Sequence, residues 1–303
     1  MLDVLIRAGC FVAIIILGIV LRKVGFFKEE DFRLLSGITI KITLPAAIIT
    51  NFAGQQIDFA MLAVVLIGLG GGVLYMLTGF LMNLRSSKEQ RAFDVLNLPG
   101  YNIGCFTLPF VQSFLGPTGV VVTSLFDAGN AFVCLGGAYG IASTIKDGRG
   151  FSPRRIGRAL LTSVPFLSYI IMVTLNLAHI SLPSPILSCA GVIANANSFM
   201  AMLTIGVGFR LSGDRGQLRY IVKMLLARYG IAAALALGCY YWLPMSLEVR
   251  QALVILLFSP IGSAVPGFTA QLKGDTGLSC TLNSIAIVCS IVIIVALLSV
   301  MLY

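Results

Sequence analysis

The sequence predicts an all-α integral membrane protein with ten transmembrane helices, on the evidence of its composition, its apolar runs and its charge distribution. Of its 303 residues, 58% are hydrophobic and 11% are charged, whereas a soluble domain keeps about a quarter of its residues charged. The chain therefore lacks the polar side chains for a fully hydrated surface. Since a spanning helix needs about 20 apolar residues, ten helices leave no room for a separate soluble domain.

Ten apolar runs of spanning length follow one another, five on each side of a basic stretch at 144–158. The runs lie at 2–21, 34–53, 59–83, 92–113, 118–143, 159–178, 185–209, 219–242, 250–271 and 277–302. We therefore divide the chain into a first five-helix repeat, 1–150, and a second five-helix repeat, 151–303.

Basic residues occur mainly in every second connection, after the odd-numbered runs. These residues are Arg22, Lys23, Lys28, Arg33, Arg85, Lys88, Arg91, Lys146, Arg149, Arg154, Arg155, Arg158, Arg210, Arg215, Arg219 and Lys273. Because Lys and Arg mark cytoplasmic loops, we predict a multi-pass protein of the cell membrane with both termini on the extracytoplasmic side. Membrane topology thus explains the net charge of +9, and nucleic acid is not an expected partner.

An odd number of helices in each half would make the two halves inverted relative to one another. The segment NIGCFTLPFVQSFLGPTG, which begins at Asn102, aligns with PIGSAVPGFTAQLKGDTG, which begins at Pro260. At a constant offset of 158 positions, Gly104 matches Gly262 and Gly116 matches Gly274. Inverted repeats that contain Gly- or Pro-interrupted helices are typical of secondary transporters.

The fourth and ninth runs each contain two prolines and two glycines. These are Pro99, Gly100, Gly104 and Pro109 in the fourth run, and Pro260, Gly262, Pro266 and Gly267 in the ninth. A proline inside a helix removes one backbone hydrogen bond, and freed backbone groups persist at membrane depth only inside protein or along a cavity. Two breaks that meet near mid-membrane would present helix N-termini, which suit an anionic group. The alternative is two proline kinks that only shape helix packing.

Three charged residues lie well inside apolar runs, where a charge is costly unless it is paired or hydrated. Lys41 is a candidate counter-charge for a carboxylate substrate, or half of an ion pair with Asp127. Asp127 is a candidate carrier of a coupling proton, because burial disfavours the charged form of a carboxylate. A structural ion pair or a snorkelling side chain is the alternative for both. Arg228 lies nearer the cytoplasmic half, and we expect it to snorkel to the membrane surface.

Neutral polar residues at membrane depth either join helices or line a solute site. Asn102 lies in the break itself, which favours a role in solute binding, whereas a helix-joining role is expected for most others. The others are Asn130, Asn195, Asn197, Ser198 and Asn283. The glycines at 68 and 70–72 indicate close helix packing.

The sequence contains no motif of an enzyme or a metal site. Its single histidine, His179, lies in a connection, so that a histidine-based zinc site or catalytic triad cannot be assembled. Walker A and GxSxG motifs are absent, and the seven cysteines show no metal-binding spacing. We therefore predict a protein that is not an enzyme and has no cofactor.

Four segments resemble the auxin efflux carrier family, including its bacterial members. The first, LGIVLRKVGFFKEEDFRLLSGITIKITLPAAIITNF from Leu17, is similar to the opening of the family, and ANANSFMAMLTIGVGFRL from Ala194 is similar to its seventh helix. The fourth run carries Asn102-x-Gly104-x-x-x-x-Pro109, and the ninth carries Ser259-Pro260-x-Gly262. The chain departs from the family at Thr107, where glycine is usual, and at Lys41, where a neutral polar residue is frequent.

The resemblance implies two inverted five-helix repeats, crossed broken fourth and ninth helices, and elevator-type transport of a small carboxylate. On this basis we predict a substrate site formed by Asn102, Gly104, Thr107, Pro109, Pro260, Gly262, Pro266, Lys41 and Asn197, with Asp127 as the coupling-ion residue. The expected partners are a small carboxylate solute, the lipid bilayer, protons or sodium as coupling ion, and a second copy in a homodimer. The alternatives are a sodium-coupled carrier like the related bile acid symporters, and a membrane scaffold or sensor that does not transport.

Overall fold

The computed structural model describes residues 2–55, 57, 59–148, 152–211 and 215–301, and all regular elements in these ranges are helices. Seven helical segments are long and apolar enough to cross a membrane, and a further pair of helices passes the same test with a bend of 74° between them. The prediction of an all-α, multi-pass membrane protein is confirmed.

The first half of the chain forms eight α-helices and three π-helical turns. The helices are α1 Leu2–Lys23, α2 Asp31–Ile38, α3 Leu44–Phe52, α4 Ala63–Met82, α5 Lys88–Asn97, α6 Leu108–Phe114, α7 Gly116–Phe132 and α8 Ala138–Asp147. The π-helical turns are Thr39–Thr43 between α2 and α3, Ile103–Thr107 before α6, and Val133–Gly137 between α7 and α8.

The second half forms eight further α-helices. They are α9 Pro153–Thr162, α10 Val164–Leu177, α11 Ser184–Ala194, α12 Asn197–Gly208, α13 Leu218–Trp242, α14 Leu247–Leu257, α15 Val265–Gln271 and α16 Thr276–Met301. The sixth apolar run is not a straight helix, because Ser163 is extended and Pro165 lies in the first turn of α10. That bend of 74° between α9 and α10 was not anticipated from the sequence.

Both the fourth and the ninth runs are interrupted, at residues 98–102 and 258–264. We call these segments the first and the second break. Pro99 and Gly100 lie in the first break, where Gly100 has a φ of +81° that glycine adopts without strain. By contrast, Pro109 follows the π-helical turn Ile103–Thr107 inside a continuous helical segment. Pro266 lies in the first turn of α15, where the missing proline N–H costs no hydrogen bond.

The helices pack into two groups. The first helix group contains α1, α2, α3, α10, α11 and α12, and the second contains α4 to α8 and α13 to α16. Each group has a close crossing at glycines. A Cβ on Gly206 would lie 2.1 Å from the Ile15 carbonyl oxygen in the first group, and one on Gly129 would lie 1.9 Å from the Val65 carbonyl oxygen in the second. Backbones that touch in this way hold the helices of each group firmly together.

The glycine cluster of α4 contributes to the packing of the second group. A Cβ on Gly68 would lie 2.1 Å from the Phe126 carbonyl oxygen, and Gly71 and Gly72 also face neighbouring side chains. Gly70 is exposed, and a Cβ on this residue would have no neighbouring atom within 4 Å. The predicted close packing thus applies to three of the four glycines.

We expect Gly129→Ala to destabilise the protein, because the new methyl group would overlap a backbone carbonyl that cannot rotate away. Overpacking of this kind costs about 1–3 kcal/mol, which corresponds to a fall of several degrees in melting temperature. Gly70→Ala is the matched control, since its methyl group meets open space. Equal melting temperatures of the two purified variants in detergent would contradict the packing of α4 against α7.

Candidate functional site

The first and second breaks contact each other directly. The backbone N–H of Asn102 donates to the carbonyl oxygen of Pro260 at 2.9 Å. The hydroxyl groups of Thr107 and Ser259 lie 2.5 Å apart, within hydrogen-bond distance. The segments around residues 104 and 262 are therefore interrupted and adjacent, as a solute site built from two broken helices requires.

Side chains satisfy several backbone groups that the breaks leave without helical partners. Asn130 accepts from the Tyr101 N–H at 3.0 Å and donates to the Tyr101 carbonyl oxygen at 2.9 Å. In the second break, Ser290 donates to the Phe258 carbonyl oxygen at 2.7 Å. Because backbone groups in an apolar interior need partners, these side chains allow both breaks to persist at membrane depth.

Arg228 on α13 is the strongest donor to the breaks. Its guanidinium donates to the carbonyl oxygens of Leu98 and Gly100 in the first break, the latter at 2.8 Å, and to that of Ser259 in the second break at 2.8 Å. The expectation that Arg228 snorkels to the membrane surface is wrong, since the side chain is only 1% exposed. The physical reason is that the C-terminal ends of α5 and α14 supply the acceptors that a buried cation needs.

A cavity of about 530 Å³ lies beside the contact between the breaks, and both helix groups line it. We call it the central cavity. The first helix group contributes Phe32, Arg33, Thr204, Ile205 and Gly208. The second group contributes Asn102, Cys105, Ala264, Pro266, Phe268, Asn283, Ser284 and Ile287. The connecting segments contribute Arg210 and Ser263, among others. Of the predicted site residues, Asn102 and Pro266 line the central cavity.

Two buried amide side chains of the central cavity have hydrogen-bonding atoms without partners within the described ranges. They are Asn102, whose Nδ2 has no acceptor, and Asn283, whose Oδ1 has no donor. Asn102 is 5% exposed and Asn283 is 8% exposed. Leaving a buried polar atom unpaired costs about 1–3 kcal/mol, so a ligand that pairs with Asn102 would recover this energy.

A smaller cavity of about 140 Å³ lies on another side of the breaks and also includes Asn102. We call it the side cavity. Gly104, Gly262 and Asp127 line it. The Asp127 carboxylate accepts from Asn130 Nδ2 at 2.8 Å and from the Tyr169 hydroxyl at 2.7 Å. Asp127 therefore lies next to the breaks and is linked through Asn130 to the backbone of the first break.

The remaining predicted site residues lie outside both cavities. Thr107 joins the two breaks, and Pro109 is buried in α6 behind them. Asn197 is fully buried and its Oδ1 accepts from Thr43 at 2.9 Å, so that it joins α12 to the second apolar run. The Lys41 side chain is exposed on that run, and no ion pair between it and Asp127 occurs in the part of the chain that is described.

Basic residues lie at the rim of the central cavity. Arg33 is exposed, and Arg210 lies 3.2 Å from the Glu29 carboxylate in an exposed ion pair. Such a pair contributes little stability. Cys105, Ser263 and Ala264 line the cavity although the sequence analysis did not select them. Cys105 and Ser263 directly follow the predicted site residues Gly104 and Gly262, and Ala264 is the next residue, which is the signal that could have identified them.

Within the described ranges, no three His, Cys, Asp or Glu side chains come close enough together to bind a metal ion. The site thus consists of amide, hydroxyl and backbone groups around the breaks, one carboxylate, and arginines. Such a set of groups can bind a solute by hydrogen bonds and charge.

Residues 10–146 match the sequence profile of a family described as membrane transport protein. The match includes the first break and ends within the basic stretch at 144–158 between the two halves. No curated protein matches the chain. This part of the chain is thus similar to a family of membrane transport proteins, and the protein is a multi-pass membrane protein.

Proposed function

We propose that the chain is a secondary-active transporter of a small organic anion that carries a carboxylate, and that this solute binds in the central cavity. The observation that carries the proposal is the unpaired Nδ2 donor of Asn102, which is buried at the contact between the two breaks. An amide N–H without an acceptor in an apolar interior favours a ligand with an acceptor oxygen. A carboxylate oxygen makes the strongest hydrogen bond of this kind.

The charges around the central cavity favour an anion over a cation. The helical segment Ile103–Phe114 directly follows Asn102. Its N-terminal end, which carries a partial positive charge, therefore faces the site. Arg33 and Arg210 at the rim attract anions from solution. No Asp or Glu is among the residues that line the central cavity in the described part of the chain.

The volume of the cavity agrees with a small solute. Ligand cavities typically measure about 300–1,000 Å³, and the central cavity of about 530 Å³ falls inside this range. Apolar side chains such as Ile205 and Ile287 form much of the remaining wall. A compact mono- or dicarboxylate with a short apolar body fits this combination.

The proposed architecture has ten spans in two inverted five-helix repeats. The seven long segments, the bent pair α9 and α10, and the two interrupted segments α5–α6 and α14–α15 together make ten crossings. The interruptions fall in the fourth crossing of each half, which supports a duplicated origin. The basic connections would then face the cytoplasm and both termini the opposite side of the cell membrane.

The two helix groups suggest how access to the site alternates. Both breaks belong to the second helix group, whereas the first group supplies the opposite wall of the central cavity. In the proposed elevator mechanism, the second group carries the bound solute past the first, so that the cavity opens to one side and then to the other. The glycine crossings keep each group rigid during this movement.

The experiment that tests the proposal is solute flux into vesicles that contain the purified protein. We expect saturable uptake of labelled small mono- or dicarboxylates, and competition by other carboxylates of similar size. The corresponding amides and alcohols should compete poorly, since they lack the charge that the site attracts. If no carboxylate enters these vesicles faster than protein-free vesicles across such a panel, the proposed function is wrong.

A further inference from the structure

The carbonyl oxygens at the C-terminal ends of two interrupted helices converge on one buried side chain. Leu98 and Gly100 follow α5, Ser259 follows α14, and all three carbonyl oxygens accept from the guanidinium of Arg228. The side chain is 1% exposed. Within the described ranges no carboxylate pairs with it, so its charge is balanced without an ion pair.

Unwound carbonyl groups and half-helix C-termini are the places where secondary transporters bind their coupling cations. Each helix C-terminus carries about half a negative charge, and a small metal cation binds several oxygen atoms at once. The two breaks in this chain provide such a set of oxygens. In this structure the set is already occupied, because the two terminal nitrogens of the Arg228 guanidinium donate to it, while its Nε has no partner within the described ranges.

We propose that Arg228 is a built-in cation that replaces a coupling metal ion at the two breaks, so that this protein transports its solute without sodium. As far as it concerns transport, the inference rests on the proposed function. The occupancy of the carbonyl oxygens by Arg228 is a property of the protein itself and can be tested without any solute.

The surroundings of Arg228 favour a guanidinium over a hydrated metal ion. The rings of Tyr75 and Tyr101 lie 4.9 Å and 5.5 Å from its central carbon atom, and aromatic faces attract a flat cation of this type. The Tyr75 hydroxyl also donates to the Arg228 carbonyl oxygen at 3.1 Å, which ties α13 to α4. The charge is therefore fixed in place by its own helix and cannot leave during a transport cycle.

A tethered cation has a consequence for energy coupling. A diffusible ion drives uptake because it binds on one side and dissociates on the other, whereas Arg228 does neither. The contact between the breaks then persists whichever salt is present. The driving force for accumulation of the solute therefore has to act at another group of the protein. Asp127, which lines the side cavity next to the breaks, is a carboxylate that can take up and release a proton.

The first test removes the built-in cation and supplies a small one from solution. Arg228→Ala leaves several buried carbonyl oxygens unpaired, so we expect the apparent melting temperature in detergent to fall by roughly 10 °C. Millimolar guanidinium chloride should restore most of this loss, since the free ion fits the space of the removed group. Restoration by sodium chloride, but not by choline chloride, would equally support a cation site at the carbonyl oxygens.

Two controls separate the site from general effects of charge and stability. Lys223→Ala removes a basic residue from the same helix, where the side chain is exposed and donates to Asn83, and guanidinium should not raise its melting temperature. Gly129→Ala is a destabilised variant with Arg228 in place, and it should likewise show no recovery. Failure of guanidinium and sodium to raise the melting temperature of Arg228→Ala would overturn the proposal.

Conservative variants keep the proposal testable if Arg228→Ala does not fold. Arg228→Lys retains a cation and should remain folded, with a smaller loss of melting temperature. Arg228→Met retains the apolar stem without charge and should be far less stable than Arg228→Lys. Equal stability of the two variants would overturn the need for a cation at this position.

Flux measurements complete the test and separate it from the proposed function. Uptake by the unaltered protein should be unchanged when choline replaces sodium on both sides of the membrane. A requirement for sodium would overturn the built-in cation and leave carboxylate transport intact. If no carboxylate is transported at all, the proposed function fails, and the melting-temperature experiments still decide whether Arg228 occupies a cation site.

Discussion

Asn102→Asp should abolish carboxylate binding while the fold is retained. The two side chains have the same shape, and the hydrogen bond that joins the breaks at this position comes from the backbone N–H of Asn102, which the substitution keeps. The change replaces an unpaired donor by a negative charge in a buried wall of the central cavity. Like charges in contact cost several kcal/mol, so affinity for an anion should fall by more than about 100-fold.

The measurement is carboxylate flux into vesicles together with the carboxylate-induced shift in melting temperature. Asn51→Asp is the matched control, because Asn51 is half-buried, its side chain donates to the Ala47 carbonyl oxygen of its own helix, and it lies outside both cavities. It should transport like the unaltered protein. Normal flux and a normal carboxylate-induced shift in Asn102→Asp would remove Asn102 from the solute site.

Asp127→Asn should eliminate accumulation against a gradient and leave exchange of solute intact. The proposed coupling requires Asp127 to take up and release a proton, which an amide cannot do. The amide keeps the shape of the carboxyl group and one acceptor oxygen, and the Tyr169 hydroxyl can accept from the new NH₂ group. For coupling of one proton to one solute, a pH difference of one unit supports about tenfold accumulation, and this ratio should fall to about one.

Two flux measurements distinguish loss of coupling from loss of transport. Uptake driven by an imposed pH gradient should disappear in Asp127→Asn, whereas counterflow of labelled against unlabelled solute should persist. Tyr169→Phe is the control, since it removes the hydrogen bond to Asp127 but keeps the carboxyl group, and it should retain uphill uptake. Intact pH-driven accumulation in Asp127→Asn would exclude Asp127 as the coupling residue.

The helical class and the positions of both breaks followed from local features of the sequence. Long apolar runs have to span a bilayer, and Pro99 with Gly100, or Pro260 with Gly262, cannot continue a helix. Pro109 and Pro266 were less informative, because Pro266 lies in the first turn of a helix, where proline is tolerated, and Pro109 follows a π-helical turn without ending its helical segment. Without the structure, a proline that breaks a helix cannot be distinguished from one that begins it.

The individual partners of the charged side chains did not follow from the sequence. Lys41 and Asp127 were considered as an ion pair, yet the structure places Lys41 on an exposed surface and Asp127 beside the breaks. Arg228 was expected at the membrane surface, because it lies in the cytoplasmic half of its run and long basic side chains snorkel. Its acceptors are carbonyl oxygens that lie 130, 128 and 31 positions away in the sequence.

The sequence by itself determined that this protein lies in a membrane, that it is helical, and that two of its spans are interrupted, since hydropathy and proline stereochemistry act within a few residues. Only the tertiary structure decided that the breaks contact each other and that Asn102 keeps an unpaired donor in the cavity between the two helix groups. It also decided that Arg228 donates to the carbonyl oxygens at the ends of two helices. These features depend on contacts between residues far apart in the chain. A sequence does not distinguish one backbone carbonyl oxygen from another. Only folding determines which of them lose their helical partners and accept from one guanidinium.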